Sequence, residues 1–352
     1  MAASKALQLL HAGCVIPAVP LALDRNRKWD ERRQRAVLRY YLNAGADGLA
    51  VAVHTTQFEI RDKGVELFEP LLRLASEEMD AYAQRTGHTV VRVAGVCGPA
   101  EQAVAEAEAA VRLGFDAVLL SPGGLGAYDE DYLIARTVAV AAVAPVIGFY
   151  LQRAVGGRRF SFDYWTRVAE TPNVVAVKAA PFDRYLTAEM VRAVALSNRA
   201  DEITLYTGND DNIVADLLTT YRFEKNGNVV EKSFEGGLLG HWAVWTNRAV
   251  EIFHALRAAK RSGNITPELL TLAAQITDAN AAFFDTAHDF AGCIAGIHEV
   301  LRRQGIFENI LCLNPEEGLS AGQSEEIDRV YAQYPHLHDD AFVAAHLREW
   351  LD

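Results

Sequence analysis

From about residue 14 to residue 243, short apolar runs alternate with segments whose apolar positions recur at helical spacing. The runs predict strands at 14–22, 47–53, 90–96, 116–121, 146–151, 174–179, 203–207 and about 235–241. Between them, the stretches 30–44, 67–85, 100–113, 129–143, 162–170, 187–197 and 212–220 set an apolar stripe against a polar one, as amphipathic helices do. Gly45, Gly87 and Gly114 follow three of these stretches, at the place where a left-handed helix terminus favours glycine. Alternation of this kind predicts repeated βα units on a parallel sheet. A closed (β/α)8 TIM barrel fits better than an open doubly wound sheet, because no Gly-x-Gly-x-x-Gly follows the first strand.

Two segments depart from a minimal barrel. Residues 221–234 read as a β-hairpin around Asn226-Gly227, a pair suited to a two-residue turn, just before the eighth strand. After residue 243 the strand pattern ends, and 244–262, 267–286, 289–304, 322–334 and 340–351 read as helices, with breaks at Pro315 and Pro335. The predicted organisation is a barrel over 1–243 containing the hairpin, followed by a C-terminal helical extension over 244–352.

Composition then narrows the function classes. With 352 residues, 50% hydrophobic and 23% charged, the chain can bury a large core and reads as a soluble enzyme. Its formal charge of −12 and lack of a Lys/Arg-rich stripe argue against nucleic acid or an anionic membrane surface as partner. No run of 18 apolar residues occurs, and Met1-Ala-Ala-Ser-Lys5 does not open a leader with an apolar core, so the expected location is the cytoplasm. Cys14, Cys97, Cys293 and Cys312 lack metal or redox spacing and are expected as free thiols. His241, His254, His288 and His298 likewise lack ligand spacing, and no metal or cofactor is expected.

Barrel enzymes place their chemistry at the C-terminal ends of the strands. Two residues there stand out: Tyr150 near the end of the fifth strand and Lys178 near the end of the sixth, one βα unit apart. A lysine between Val177 and Ala179 is costly to bury as an ammonium. Such a site favours the neutral amine, which condenses with a ketone to give a Schiff base. A tyrosine beside it would relay protons. The alternative is a lysine that reaches solvent and a tyrosine that packs. His54, Thr55 and Thr56 follow the second strand, and Leu239 lies in the stretch that closes the eighth. His54 either lines a pocket or packs, and the threonines either bind a ligand or cap a helix. Asp210 and Asp211 alone make a poor metal site and repel phosphate.

These strand-end segments resemble motifs of the dihydrodipicolinate synthase and N-acetylneuraminate lyase family of Schiff-base aldolases. That family carries Gly-Thr-Thr-Gly-Glu after the second strand, Tyr-Asn-x-Pro after the fifth, Ile-Lys-Glu in the sixth and a Gly-Asp-Asp type segment after the seventh. Here the corresponding segments read His54-Thr55-Thr56-Gln57-Phe58, Tyr150-Leu151-Gln152-Arg153, Val177-Lys178-Ala179 and Gly208-Asn209-Asp210-Asp211, in the same order over roughly residues 12–310.

The resemblance implies a lyase, aldolase or dehydratase acting on a 2-oxo acid such as pyruvate, with or without an aldehyde partner. Lys178 would form the imine and Tyr150 would shuttle protons. Thr55 and Thr56 would bind the substrate carboxylate, with His54 and Leu239 beside it. The resemblance also implies a homodimer or homotetramer. The departures matter too: His54 and Gln57 stand where the family has glycines, Phe58 replaces its acid, and Ser121-Pro122-Gly123-Gly124 lacks the aromatic pair after the fourth strand that supplies a relay tyrosine. A longer, hydroxylated or otherwise polar 2-oxo acid is therefore the expected substrate, and lysine biosynthesis is not expected. The competing expectation is a non-catalytic ligand-binding or regulatory barrel that keeps the lysine without productive geometry.

Overall fold

The apolar runs pair into a barrel in the computed structural model, which describes residues 4–352. In chain order the strands are β1 (Val15–Pro17), β2 (Gly48–Val51), β3 (Val91–Val96), β4 (Ala117–Leu120), β5 (Val146–Leu151), β6 (Val174–Ala180), β7 (Thr204–Thr207), β8 (Thr220–Lys225) and β9 (Asn228–Leu239). Neighbours run β1-β9-β7-β6-β5-β4-β3-β2 and pair in parallel, while β8 pairs only with β9. Just past β1, Ala18 opposes Ala50, and the Val19 amide donates to the Ala50 carbonyl at 2.9 Å. That bridge closes the ring. The (β/α)8 expectation is borne out.

The helices are α1 (Lys5–Ala12), α2 (Glu31–Asn43), α3 (Phe68–Thr86), α4 (Ala100–Arg112), α5 (Glu130–Ala141), α6 (Phe162–Glu170), α7 (Arg184–Leu196), α8 (Ile213–Leu218), α9 (Thr246–Ser262), α10 (Pro267–Phe283), α11 (Cys293–Arg303), α12 (Gln323–Gln333) and α13 (Asp340–Leu351). Their starts are fixed locally: Asp30, Asp129, Ser161 and Asp183 each accept a first-turn amide through the side chain. No helix among the described residues is long and apolar enough to cross a membrane.

Strand alternation sorts the core into two layers. Ile16, Ala50, Val93, Leu119, Ile147, Ala176 and Leu238 fill the barrel, and the intervening residues pack outward against the helices. Two features differ from the sequence pattern. Helix α1 was not expected; its Leu10 is buried with the barrel interior, and the Tyr206 hydroxyl donates to the Leu10 carbonyl at 2.6 Å, so α1 plugs the N-terminal end. The eighth barrel strand is also longer than its apolar run. β9 is continuous from Asn228, leaving a turn at Asn226 (φ 53°) and Gly227 (φ 80°), and only its later part, from Phe234, joins β7 and β1. At the other end of the chain, α13 lies on α2: Arg39 donates to the Trp350 carbonyl at 2.9 Å, and the Tyr40 hydroxyl donates to Asp339 at 2.7 Å.

Candidate active site

A pocket at the C-terminal mouth of the barrel encloses about 640 Å³ of non-atom space, part of it open to solvent. Lys178 sits in it. Ala176 and Ala180 on the same strand face the interior while Val177 and Ala179 face the helices, so period-2 geometry directs Lys178 inward. The side chain is buried, with Nζ 4.4 Å from the centroid of the Phe149 ring. Burial pulls the amine below its ordinary lysine value, and the nearby Asp210 charge partly opposes this.

Space for the lysine comes from Gly208. A Cβ there would stand 2.3 Å from Lys178 Cε and 3.0 Å from Ala180 Cβ. Gly208→Ala therefore should force the amine out of place and slow borohydride trapping of a 2-oxo acid at least about tenfold, since small misplacements of a reacting group are costly. Trapping at the wild-type rate in that variant would show that the close approach is not needed.

Asp210 reaches the same pocket from beyond β7. Its carboxylate accepts the His241 amide at 2.8 Å, and its carbonyl accepts from Asn280 Nδ2 at 2.7 Å. Burial pushes the carboxyl up, against the lowering effects of the His241 amide and Lys178. Its neighbours serve the scaffold. Asn209 donates to Asp216 at 2.9 Å, and Asp211 pairs with Arg184 at 3.5 Å.

The turn after β2 divides its residues differently from the sequence reading. Thr55 lines the pocket, and its hydroxyl has no partner among the described residues. The Thr56 hydroxyl instead donates to the Val19 carbonyl at 2.6 Å and accepts the Val53 amide at 3.2 Å, so it ties the turn after β2 to the segment after β1. Gln57, at φ 70°, turns its Oε1 to the Leu313 amide at 2.6 Å. It anchors the C-terminal extension to the barrel. His54 lines the pocket edge-on to Phe58 at 5.8 Å, and burial, aided by the Lys178 charge, pulls its ring to about 4, leaving a neutral imidazole.

Two further expectations need correction. Tyr150 does not face Lys178. Between β5 and β6 the pairing slips at Val146/Ile147, where Val146 opposes Val174 but Ile147 opposes Ala176. A one-residue slip moves every later side chain to the opposite face, so Phe149 is the residue beside Lys178. Tyr150 points outward beneath α6, 5.0 Å from the Trp165 ring, and its hydroxyl accepts the Phe160 amide at 3.3 Å. Leu239 likewise faces the helix layer, contributing only its carbonyl to the Ala18 amide at 3.2 Å; Leu238 fills the interior and Gly240 lines the pocket. We expect Tyr150→Phe to change kcat less than about threefold while destabilising the fold by ~1 kcal/mol, as a buried amide loses its acceptor. A fall of about 10²-fold in kcat without a change in the melt would return Tyr150 to the chemistry.

The roof was not visible in the sequence. Phe284, Phe290, Cys293, Ile294 and Ile297 come from α10, α11 and the loop between them, and Phe182 follows β6. Phe182 and Phe290 meet edge-to-face at 5.6 Å. The loop is held in shape by buried Asp285, which accepts the Gly292 amide at 2.9 Å and the Ser320 hydroxyl at 2.5 Å. Asp285, Asp289 and Phe290 all have positive φ there, so a fixed backbone aims Phe290 at the pocket.

No protein-family model matches the sequence, and no curated protein matches it. Solved structures do match over nearly the whole chain. Dihydrodipicolinate synthase from Oceanobacillus iheyensis aligns over 94% of this chain and 99% of its own, at a TM-score of 0.73 and 13% identity. N-acetylneuraminate lyase from Fusobacterium nucleatum aligns over 92% and 99%, at 0.70 and 16%. A prophage protein of the dihydrodipicolinic acid synthase family from E. coli K12, in complex with pyruvate, aligns over 91% and 97%, at 0.71 and 19%. This chain has the dihydrodipicolinate synthase fold. At such identities the likeness is one of architecture. Within the dihydrodipicolinate synthase fold, Lys178, Thr55, His54 and Asp210 are the polar side chains that this sequence brings to the pocket from the ends of β2, β6 and β7, and Gln152 joins them after β5.

Proposed function

We propose that this chain is an atypical member of the dihydrodipicolinate synthase and N-acetylneuraminate lyase family, and that it is a class I lyase acting on a 2-oxo acid through an imine at Lys178. The observation that carries this reading is a buried lysine with a depressed pKa, in a pocket at the C-terminal end of the barrel. In the proposed reaction the Lys178 amine attacks C2 of the 2-oxo acid. The resulting carbinolamine loses its oxygen as water and leaves an iminium. The iminium draws electrons from C3, so that either a C3 proton departs or the bond one carbon further along breaks, giving an enamine. Hydrolysis returns the amine. Aldol cleavage, aldol addition and dehydration all use this sequence.

Thr55 supplies the free hydroxyl for the substrate carboxylate. With Tyr150 outside, the proton passes to Asp210, whose raised pKa suits it to accept a proton and return it near neutral pH. Pyruvate, present in the complex of the E. coli K12 prophage protein, is the first substrate to try. Incubation with pyruvate and borohydride, followed by intact mass and peptide mapping, tests the reading. One reduced adduct on Lys178 is expected, and an adduct elsewhere, or none, rejects it.

A specific feature favours the second reading, a ligand-binding barrel without turnover: the ring next to Lys178 is Phe149, which has no ionisable proton to transfer. In that case the adduct forms on Lys178 but no 2-oxo acid is turned over.

A further inference from the structure

We infer that the pocket takes 2-oxo acids bearing an aromatic or branched aliphatic group, and not the longer, hydroxylated or otherwise polar ones that the sequence predicts. The inference rests on the imine reading of Lys178 and names the substrate class of that site. Apart from the weakly donating Cys293 thiol, the polar side chains on the pocket wall are His54, Thr55, Gln152, Lys178 and Asp210. Three of these are already committed by the proposed chemistry: the imine at Lys178, the substrate carboxylate at Thr55 and the migrating proton at Asp210. Beyond them the substrate meets the roof, where Phe182, Phe284, Phe290, Ile294 and Ile297 offer no hydrogen bond from their side chains.

Several polar groups near the roof are turned elsewhere, while Arg153 lies in the adjoining cavity on the far side of Phe182 and Phe290. Gln57 gives its Oε1 to the Leu313 amide, leaving only its buried Nε2 without a partner, and Asp285 is spent on Gly292, Ser320 and His288. The Arg158 guanidinium donates to the Tyr128 carbonyl at 2.5 Å. Only His54 and Gln152 on the wall are left to a hydroxylated chain, and where it meets the rings and aliphatic groups of the roof it would give up water without replacement partners. A second carboxylate or a phosphate would fare worse. Among the described residues Lys178 is the only lysine or arginine lining the pocket, His54 is held neutral, and Asp210 carries the wrong sign. An aromatic or branched group gains on both counts, since its burial releases water and the Phe182–Phe290 pair presents ring faces and edges to it.

The test measures the concentration of each 2-oxo acid giving half-maximal borohydride trapping on the wild-type protein. The probes are pyruvate, phenylpyruvate, 4-methyl-2-oxopentanoate, 2-oxoglutarate and a six-carbon 3-deoxy-2-oxo sugar acid. Phenylpyruvate or 4-methyl-2-oxopentanoate should half-saturate at least about tenfold below both 2-oxoglutarate and the sugar acid, in keeping with what apolar pocket contacts discriminate. In Phe290→Ala, the preference for phenylpyruvate over pyruvate should shrink about fivefold or more, a ratio that is unaffected by the fraction of folded protein. Trapping of 2-oxoglutarate or the sugar acid as tightly as phenylpyruvate overturns the substrate class while leaving the imine intact. If no probe, pyruvate included, modifies Lys178, the imine reading fails and this inference falls with it.

Discussion

Lys178→Ala protein should give no borohydride-stable adduct with any 2-oxo acid and should lose turnover by about 10⁴-fold or more, the scale seen when a covalent nucleophile is removed. No other group can take over the reaction. Lys178 is the only amine on the pocket wall among the described residues, and the neutral His54 ring cannot form an imine with a ketone. The fold should survive the change. A buried amine carries a desolvation cost that the alanine does not, which offsets part of the cavity left by the lysine stem. A thermal melt within a few degrees of wild type, together with complete loss of the adduct, is the expected pair of results. Lys178→Met keeps the volume of the stem and should give the same loss with a closer melt. An adduct of wild-type mass yield in either variant places the chemistry on another lysine.

The barrel was legible in the sequence because its signals are local and repeated: apolar runs such as Val146–Leu151, amphipathic stretches between them, and glycine at helix ends such as Gly87. Lys178 was legible because a charge among aliphatic residues is itself a statement about energy. What failed was facing. A spacing of one βα unit places Tyr150 and Lys178 on adjacent strands, yet the slip at Val146/Ile147 turns one residue outward and puts Phe149 in its place. Nothing in a single run of apolar residues announces a bulge. Strand alternation from Lys178 through Ala180 and from Phe149 through Leu151 would have given the right faces only once the register was known. Thr56 and Gln57 misled for a related reason: their partners, Val19 and Leu313, lie 37 and 256 residues away in sequence. The apolar roof is also non-local, supplied mainly by helices after residue 244 whose periodicity says that they are buried but not what they cover.

Asp210→Asn should move two measurements in opposite directions. The Asp210 carboxylate opposes the depression of the Lys178 pKa, so its removal lets burial pull the amine further down. Imine formation requires the neutral amine, and its rate rises with pH until the amine is fully deprotonated. Lowering that pKa shifts the acid limb of the trapping profile to lower pH, and Asp210→Asn protein should trap pyruvate faster than wild type on that limb. Turnover should fall about 10²-fold or more, because the amide cannot accept the proton released from C3. The substitution is conservative for the fold, since an asparagine Oδ1 can still accept the His241 amide now held at 2.8 Å. A purely structural Asp210 would still speed trapping on the acid limb through the loss of its charge, but would leave turnover near wild type. Trapping and turnover that fall together would mean that the asparagine has displaced the lysine, and the proton-transfer role would lose its support. Only faster trapping on the acid limb combined with slower turnover supports the assignment of the proton to this carboxylate.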